Sequence, residues 1–200
     1  MIYVNPTRIE ITTAPSGLPV TVLQVKERAR MDVSDTLMDS TILAYINAVW
    51  SKVEEYTGLA LLETKFRAFY DGFPVVVAIQ KAPKIVVQKI DYLDVTGDIQ
   101  TVDANIYQVQ KSNHFFNIFP KDMQRFPHVE KHKTDAVMID FQAGWSNANS
   151  IPDDIKEAIL FAVVSMLTGG AGKECFGECS LPALSKSLLY KYRDTMALMR

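Results

Sequence analysis

The chain has 200 residues, enough for one sizeable domain or two small ones, with 48% apolar and 22% charged residues, ordinary values for a globular protein that buries its core without disulfides or metals. A formal net charge of −2, spread evenly along the sequence, argues against wholesale nucleic-acid binding, which favours a strongly basic domain. The longest apolar run, Ala158–Leu167 with Ser165 inside it, is too short to span a bilayer.

Met1 to Pro6 has neither a basic start nor an apolar stretch, so no secretory signal is expected there. Together with only two cysteines, Cys175 and Cys179, this fits a soluble product of a reducing cytoplasm. Residues 1–19 carry Pro6, Pro15, Gly17 and Pro19 and read as an extended arm with a brief strand at Arg8–Thr12. Thr21-Val22-Leu23-Gln24 has the spacing of a capping box and should open a short helix to about Arg30.

Met38, Ile42, Tyr45, Ile46, Val49, Val53 and Tyr56 follow the i, i+3/i+4 spacing of one helical face. Ser34 or Asp35 can cap this long helix, Asp35 and Asp39 suit the positive end of its dipole, and Gly58 ends it. From Glu63 the apolar period shortens to about 2. Strands are expected at Thr64–Tyr70, Val75–Ile79, Ile85–Leu93, Ile99–Val102, Tyr107–Gln110, Phe115–Phe119 and Ala136–Ala143, with turn residues at Asp71-Gly72, Ala82-Pro83, Thr96-Gly97-Asp98 and Ala143-Gly144. The polar stretch Lys121–Thr134 lacks periodicity and reads as an exposed loop.

Pro152 suits the first turn of a further helix, with Asp153, Asp154 and Glu157 at its favoured end and Ile155, Ile159, Leu160, Val163 and Leu167 on its buried face. Gly169-Gly170-Ala171-Gly172 stops it. A final helix is expected from about Pro182 to Leu198, with Leu184, Leu188, Leu189, Tyr192 and Met196 on one side. The fold class expected is α+β. A small helical bundle from residues 20–62 and 151–200 brackets an antiparallel β-sandwich or barrel-like insertion at 63–150, all within one domain.

No catalytic constellation emerges. The glycines ahead of Lys173 lack the hydroxyl residue and preceding strand of a phosphate loop, because position 174 is glutamate and the element before is helical. His128 and His132 share an i, i+4 spacing, but in a polar setting crowded by Lys131 and Lys133. Cys175 and Cys179 have no nearby pair of ligands to complete a tetrahedral zinc site. Asp91, Asp94 and Asp98 fit a hairpin rim better than a carboxylate dyad. The insertion holds most of the aromatic residues, which without interleaved basic charge suits core and interface packing better than base stacking. A non-enzymatic role without cofactor or metal is expected.

Several segments, in order, resemble the head–tail connector, or head-completion adaptor, family of tailed double-stranded DNA phages and related prophages. They are Val20-Thr21, Arg30-Met31-Asp32, Val53-Glu54-Glu55-Tyr56-Thr57-Gly58, Asp71-Gly72-Phe73-Pro74, Ala82-Pro83 with Ile90-Asp91-Tyr92, Phe141-Gln142-Ala143-Gly144-Trp145, the helix start from Ile151-Pro152-Asp153-Asp154-Ile155, and Leu188-Leu189-Tyr190-Lys191-Tyr192-Arg193. Residues 169–180 and the long loop 121–134 depart from the family's pattern.

The resemblance implies a ring of about twelve copies under the portal protein, extending the DNA channel and docking a stopper or tail-completion protein. Packaged double-stranded DNA would pass through without sequence-specific binding, and no membrane would be involved. The chain would sit in the virion neck after assembly in the host cytoplasm. The locally basic end of the chain is the candidate portal or channel contact: Lys186, Leu189, Lys191, Tyr192, Arg193 and Arg200. The rivals are another neck ring component, a stopper or tail terminator, which would be mostly strand, and a host nucleic-acid-binding module, which would show a steep salt dependence on DNA.

Overall fold

A computed structural model describes residues 3–111, 115–122, 124–130, 133–169 and 181–193. His132, Gly170 to Lys173, Cys175, Cys179, Met196, Leu198 and Arg200 lie outside the described residues. The chain forms two compact units. One comprises residues 1–16 and 63–144 and holds the strands; the other comprises residues 17–62 and 145–200 and holds the helices.

The helical unit opens with α1 (Val22–Ala29), whose N-cap is the expected box: Gln24 N–H donates to Thr21 Oγ1 at 3.2 Å, and Thr21 N–H donates to Gln24 Oε1 at 2.8 Å. Helix α2 (Asp39–Thr57) buries Ile42, Ile46, Val49 and Val53 along the expected stripe. It ends at Gly58, whose φ of +72° is the left-handed conformation that glycine adopts without a Cβ penalty. Its start differs from expectation. Asp32 accepts from Ser34 N–H at 2.9 Å and Asp35 from Leu37 N–H at 2.9 Å, so these cap-type side chains close turns instead, and the helix begins four residues after Asp35 with Met38 at its N-cap.

Helix α3 (Asp153–Leu167) follows Pro152, carries Asp153 and Asp154 in its first turn and buries Ile155, Ala158, Ile159, Leu160, Ala162 and Val163. It is the central helix of the unit, packing against α1, α2 and α4 (Ala183–Leu189). Helix α4 is shorter than expected: a tight 3-10 turn at Tyr190–Tyr192 follows it, and Arg193 is extended.

The β unit contains all seven strands expected within 63–150, each within about two residues of its expected ends: β3 (Thr64–Tyr70), β4 (Val76–Ile79), β5 (Val86–Leu93), β6 (Ile99–Thr101), β7 (Tyr107–Lys111), β8 (Phe116–Pro120) and β9 (Val137–Ala143). Two strands precede them, β1 (Tyr3–Val4) and β2 (Arg8–Thr13). The sheets run β1-β4-β8-β7 and β2-β3-β9-β5-β6. Pairing is antiparallel throughout except between β1 and β4, which run parallel.

Period-2 patterning positions the core. Along β9 the side chains of Val137, Ile139, Phe141 and Ala143 are buried, while Met138, Asp140 and Gln142 between them are half-buried. Phe66 of β3 lies opposite Phe141 in the ladder, their rings stacked at 5.3 Å. Phe116, from the other sheet, meets Phe141 at 5.2 Å in a tilted arrangement, within the range aromatic pairs prefer. Tyr70 is buried but donates its hydroxyl to Ala78 O at 3.1 Å, and burial pushes its phenol pKa well above the usual range. On the outer side, Arg67 and Asp140 form a two-pronged ion pair across β3 and β9, Nε to Oδ1 at 2.6 Å and Nη2 to Oδ2 at 2.8 Å.

Candidate functional site

The expected contact segment is built by α4 and the turn after it. Leu181, Ser185 and Leu189 recur at i, i+4 spacing and form the buried side of the segment. A serine can lie there because its Oγ donates to Ala158 O of α3 at 2.8 Å, which satisfies a hydroxyl that would otherwise be costly to bury. This revises the expected helical face. Leu184 is 50% exposed and Ser185 takes the inward position.

Leu189 is fully buried, so among the candidate contact residues it is the anchor that seats the segment and does not face solvent. Lys186 and Tyr192 are half-buried, Lys191 is exposed and Arg193 is half-buried. Two of the cations are already oriented. The Lys191 ammonium contacts the Asp154 carboxylate in the first turn of α3 and lies 5.0 Å from the Tyr192 ring centre. The hydrogen bond to Asp154 raises the Lys191 pKa. The Arg193 guanidinium sits 5.3 Å from the centre of the Tyr56 ring, a cation–π distance. The structure thus brings Lys191, Tyr192 and Arg193 together beside Asp154 and Tyr56. Arg200 is outside the described residues.

Sequence reasoning passed over Tyr190, 69% exposed at the start of the 3-10 turn, and the knuckle ahead of α2, where Leu37 is 85% exposed. The signal for the knuckle was present in the Asp32-x-Ser34 and Asp35-x-Leu37 spacings, which favour side-chain-closed turns over helix.

In the β unit, the carboxylates weighed as a dyad have structural work. Asp94 accepts from Thr96 Oγ1 at 2.6 Å, Thr96 N–H at 2.8 Å and Asp98 N–H at 3.1 Å. These bonds, that from the Thr96 hydroxyl first, hold its carboxyl down at about 2. Asp91 accepts from Thr101 Oγ1 at 2.7 Å and contacts Lys89. The three acids therefore brace the β5–β6 hairpin. A cleft of about 530 Å³ is lined by Phe73, Val75, Phe126 and Pro127 together with Arg125 and His128, with the Phe73 and Phe126 rings stacked at 4.5 Å. Among the described residues no three His, Cys, Asp or Glu side chains gather where they could hold a metal ion, and no described helix is long and apolar enough to cross a membrane.

No family model matches the sequence, and no curated protein matches it. Solved structures do. A chain from the neck of the empty GTA particle, computed with C6 symmetry, superposes with a TM-score of 0.77 at 18% identity, over 94% of this chain and 96% of that one. The fold is shared with particle-neck chains. A chain from the virion of the native gene transfer agent (GTA) particle gives a TM-score of 0.75 at 19% identity, covering 94% of this chain and 95% of its own. One from the neck of the native GTA particle, computed with C12 symmetry, gives 0.65 at 19% identity over 94% and 96%. Coverage this complete means that the strand unit and the helical unit are both matched, in the same order along the chain.

Proposed function

We propose that this chain is a structural virion protein of the neck: a head–tail connector, or adaptor, that forms a ring of about twelve copies beneath the portal. The observation that carries the reading is the fold shared, over 94% of the chain, with chains from GTA particle necks. The C12 symmetry of one of those necks supports the copy number. The four α-helices of the described residues, gathered in a unit of their own, favour the adaptor over a stopper or tail terminator, for which a mostly β chain is expected.

In this reading the ring lengthens the DNA channel and offers a docking surface to a stopper or tail-completion protein. A near-neutral chain suits a passage that must not hold the DNA running through it. The segment carrying Lys186, Lys191, Tyr192 and Arg193, seated by Leu189, makes the portal or channel contact, a role proposed also for Arg200, which lies outside the described residues. The protein acts in the virion neck after assembly in the host cytoplasm. It is not catalytic and needs no cofactor.

The genetic test is direct. Particles produced without this chain should yield DNA-filled heads and unattached tails, and supplying the chain should restore the join. Tailed, infective particles made in its absence would contradict the proposal.

A further inference from the structure

The five-stranded sheet ends at β2 on one side and β6 on the other, and among the described residues no strand pairs with either edge. The hydrogen bonding of β6 can be followed residue by residue. Val102 N–H donates to Ile90 O at 2.8 Å, Asp94 N–H donates to Asp98 O at 2.9 Å, and Tyr92 lies opposite Gln100 between them. Bonded and non-bonded pairs alternate in an antiparallel ladder, so Gln100 bonds inward to β5. The N–H and C=O groups of Ile99 and Thr101 therefore point away from the sheet. Leu93, opposite Ile99, has the matching phase: its N–H donates to Ala136 O and its C=O accepts from Glu130 N–H.

Both edges also leave apolar side chains in water. All three residues of β6 are exposed, Ile99 by 66%. Five of the six residues of β2 are exposed, and Ile11 is 62% exposed. Its sequence, Arg8-Ile9-Glu10-Ile11-Thr12-Thr13, is rich in β-branched residues that favour a packed, pleated surface. An irregularity between Ile11 and Thr13 ends its regular pairing with β3, leaving Arg8–Ile11 as the straight length of edge. Open edges with exposed isoleucines are templates for another strand, and on β2 Arg8 and Glu10 are already paired, to each other and, for Arg8, to Asp135.

We propose that β6 of one copy pairs with β2 of the next, so that the five-stranded sheet continues from subunit to subunit. This is the subunit contact of the ring, and it rests on the ring reading above. The sheet itself selects a second copy as the occupant. Four successive antiparallel pairings leave β2 and β6 pointing the same way, so joining them gives a parallel contact between two different surfaces. A rotation axis repeats such a heterologous contact around a ring, whereas β2 against β2 or β6 against β6 would stop at a dimer. The lengths also agree, three residues of β6 against the four regular residues of β2. At ~4.8 Å per strand, five strands add roughly 24 Å per copy, so about twelve copies trace a ring roughly 90 Å across.

Two substitutions test the contact. Ile99→Pro removes one outward N–H and none of the bonds to β5, a placement that edge strands tolerate. Ile99→Lys puts a charge on the same edge. Native mass spectrometry of each variant and of the parent, over a concentration series and in the presence of the portal protein, reads the assembly. Thermal unfolding reports the fold. Both variants should keep the parent's thermal midpoint and run as monomers where the parent forms rings; should the proline lower the midpoint, the lysine variant decides. Rings that survive in a folded variant would overturn the edge contact and leave the ring reading standing. A parent chain that forms no ring in any of these conditions would remove both.

Discussion

The Lys26 ammonium lies 2.5 Å from Asp39 Oδ1, although only 4% of the lysine side chain is exposed. The same nitrogen donates to Asp35 O at 2.7 Å and to Val33 O at 3.4 Å. One buried charge on α1 thus fixes the turns that precede α2 and the first residue of α2 itself. A lysine is costly to bury unless paired and hydrogen-bonded in this way. It also explains how the chain between the two helices holds Leu37 out in solvent without unravelling.

Lys26→Met keeps the aliphatic stem and removes the ammonium, leaving two carbonyls and a carboxylate without their donor. A loss of about 1–3 kcal/mol is expected, read by urea unfolding of the helical unit's signal. Unchanged stability would mean that the turns are held by their own Asp32 and Asp35 bonds.

Asp140 gives a pH signature. The hydrogen bond from Arg67, ahead of their charge attraction, lowers the Asp140 pKa below the ordinary carboxylate value, with Lys89 adding to it. A depressed folded-state pKa contributes stability that is present above the unfolded value of ~3.9 and is lost as pH falls through the lower folded one. Asp140→Asn should therefore cost about 1–2 kcal/mol at neutral pH, with a gap from the parent that stays level down to roughly pH 5 and closes below it. A gap that persists unchanged at the acid end would contradict the pairing.

Leu189 and Ser185 should show that the terminal segment is part of the helical core. Leu189→Ala is expected to cost about 2–5 kcal/mol, the range for a fully buried leucine. Ser185→Ala removes the hydroxyl's added bond to the Ala158 carbonyl, which keeps its place in the α3 ladder, and should cost about 1 kcal/mol. Deleting residues 183–200 outright would uncover the α3 face that these side chains cover, mixing a folding defect with a docking one. Denaturant midpoints of the two point variants check the assignment, and parental stability for Leu189→Ala would refute it.

Point reversals isolate docking. Lys191 is exposed and its contact with Asp154 is a surface ion pair, a class that contributes little to stability. Lys191→Glu combined with Arg193→Glu should leave the chain folded at a cost of about 1–2 kcal/mol from the lost Tyr56 contact, with the like charge beside Asp154 lowering the thermal midpoint a little further. Binding to immobilised portal protein should fall at least about tenfold, with a weaker dependence on salt. Binding within twofold of the parent would contradict the proposed portal contact at this segment.

Much of the fold was legible because local rules and burial agree. The alternation Thr64, Phe66, Ala68 placed β3 at its observed ends, and Gly58 marked the end of α2 because its conformation there is left-handed. The start of α2 was misread because Asp35 is an equally good helix cap and turn closer, Ser34 is taken up by Asp32, and the lysine from α1 that contacts these turns is not visible locally. Leu184 and Ser185 were exchanged for a similar reason. Hydrophobicity favours Leu184 inside, but Ala158 O supplies the partner that admits the serine. Strand partners were not legible at all: β2 pairs with β3 from more than fifty residues away, and nothing local in Arg8–Thr13 names that neighbour. At the candidate site, the residues were in view but their roles were not, since Leu189 turned out to be an anchor and Lys191 and Arg193 to be held by Asp154 and Tyr56.

The central claim is a closed ring on the portal, and the mass of the assembled protein tests it most directly. Native mass spectrometry of the purified chain, alone and then with its portal protein, should show a discrete species of about twelve copies in at least one of the two conditions. A chain that stays monomeric or dimeric and ignores the portal would contradict the account.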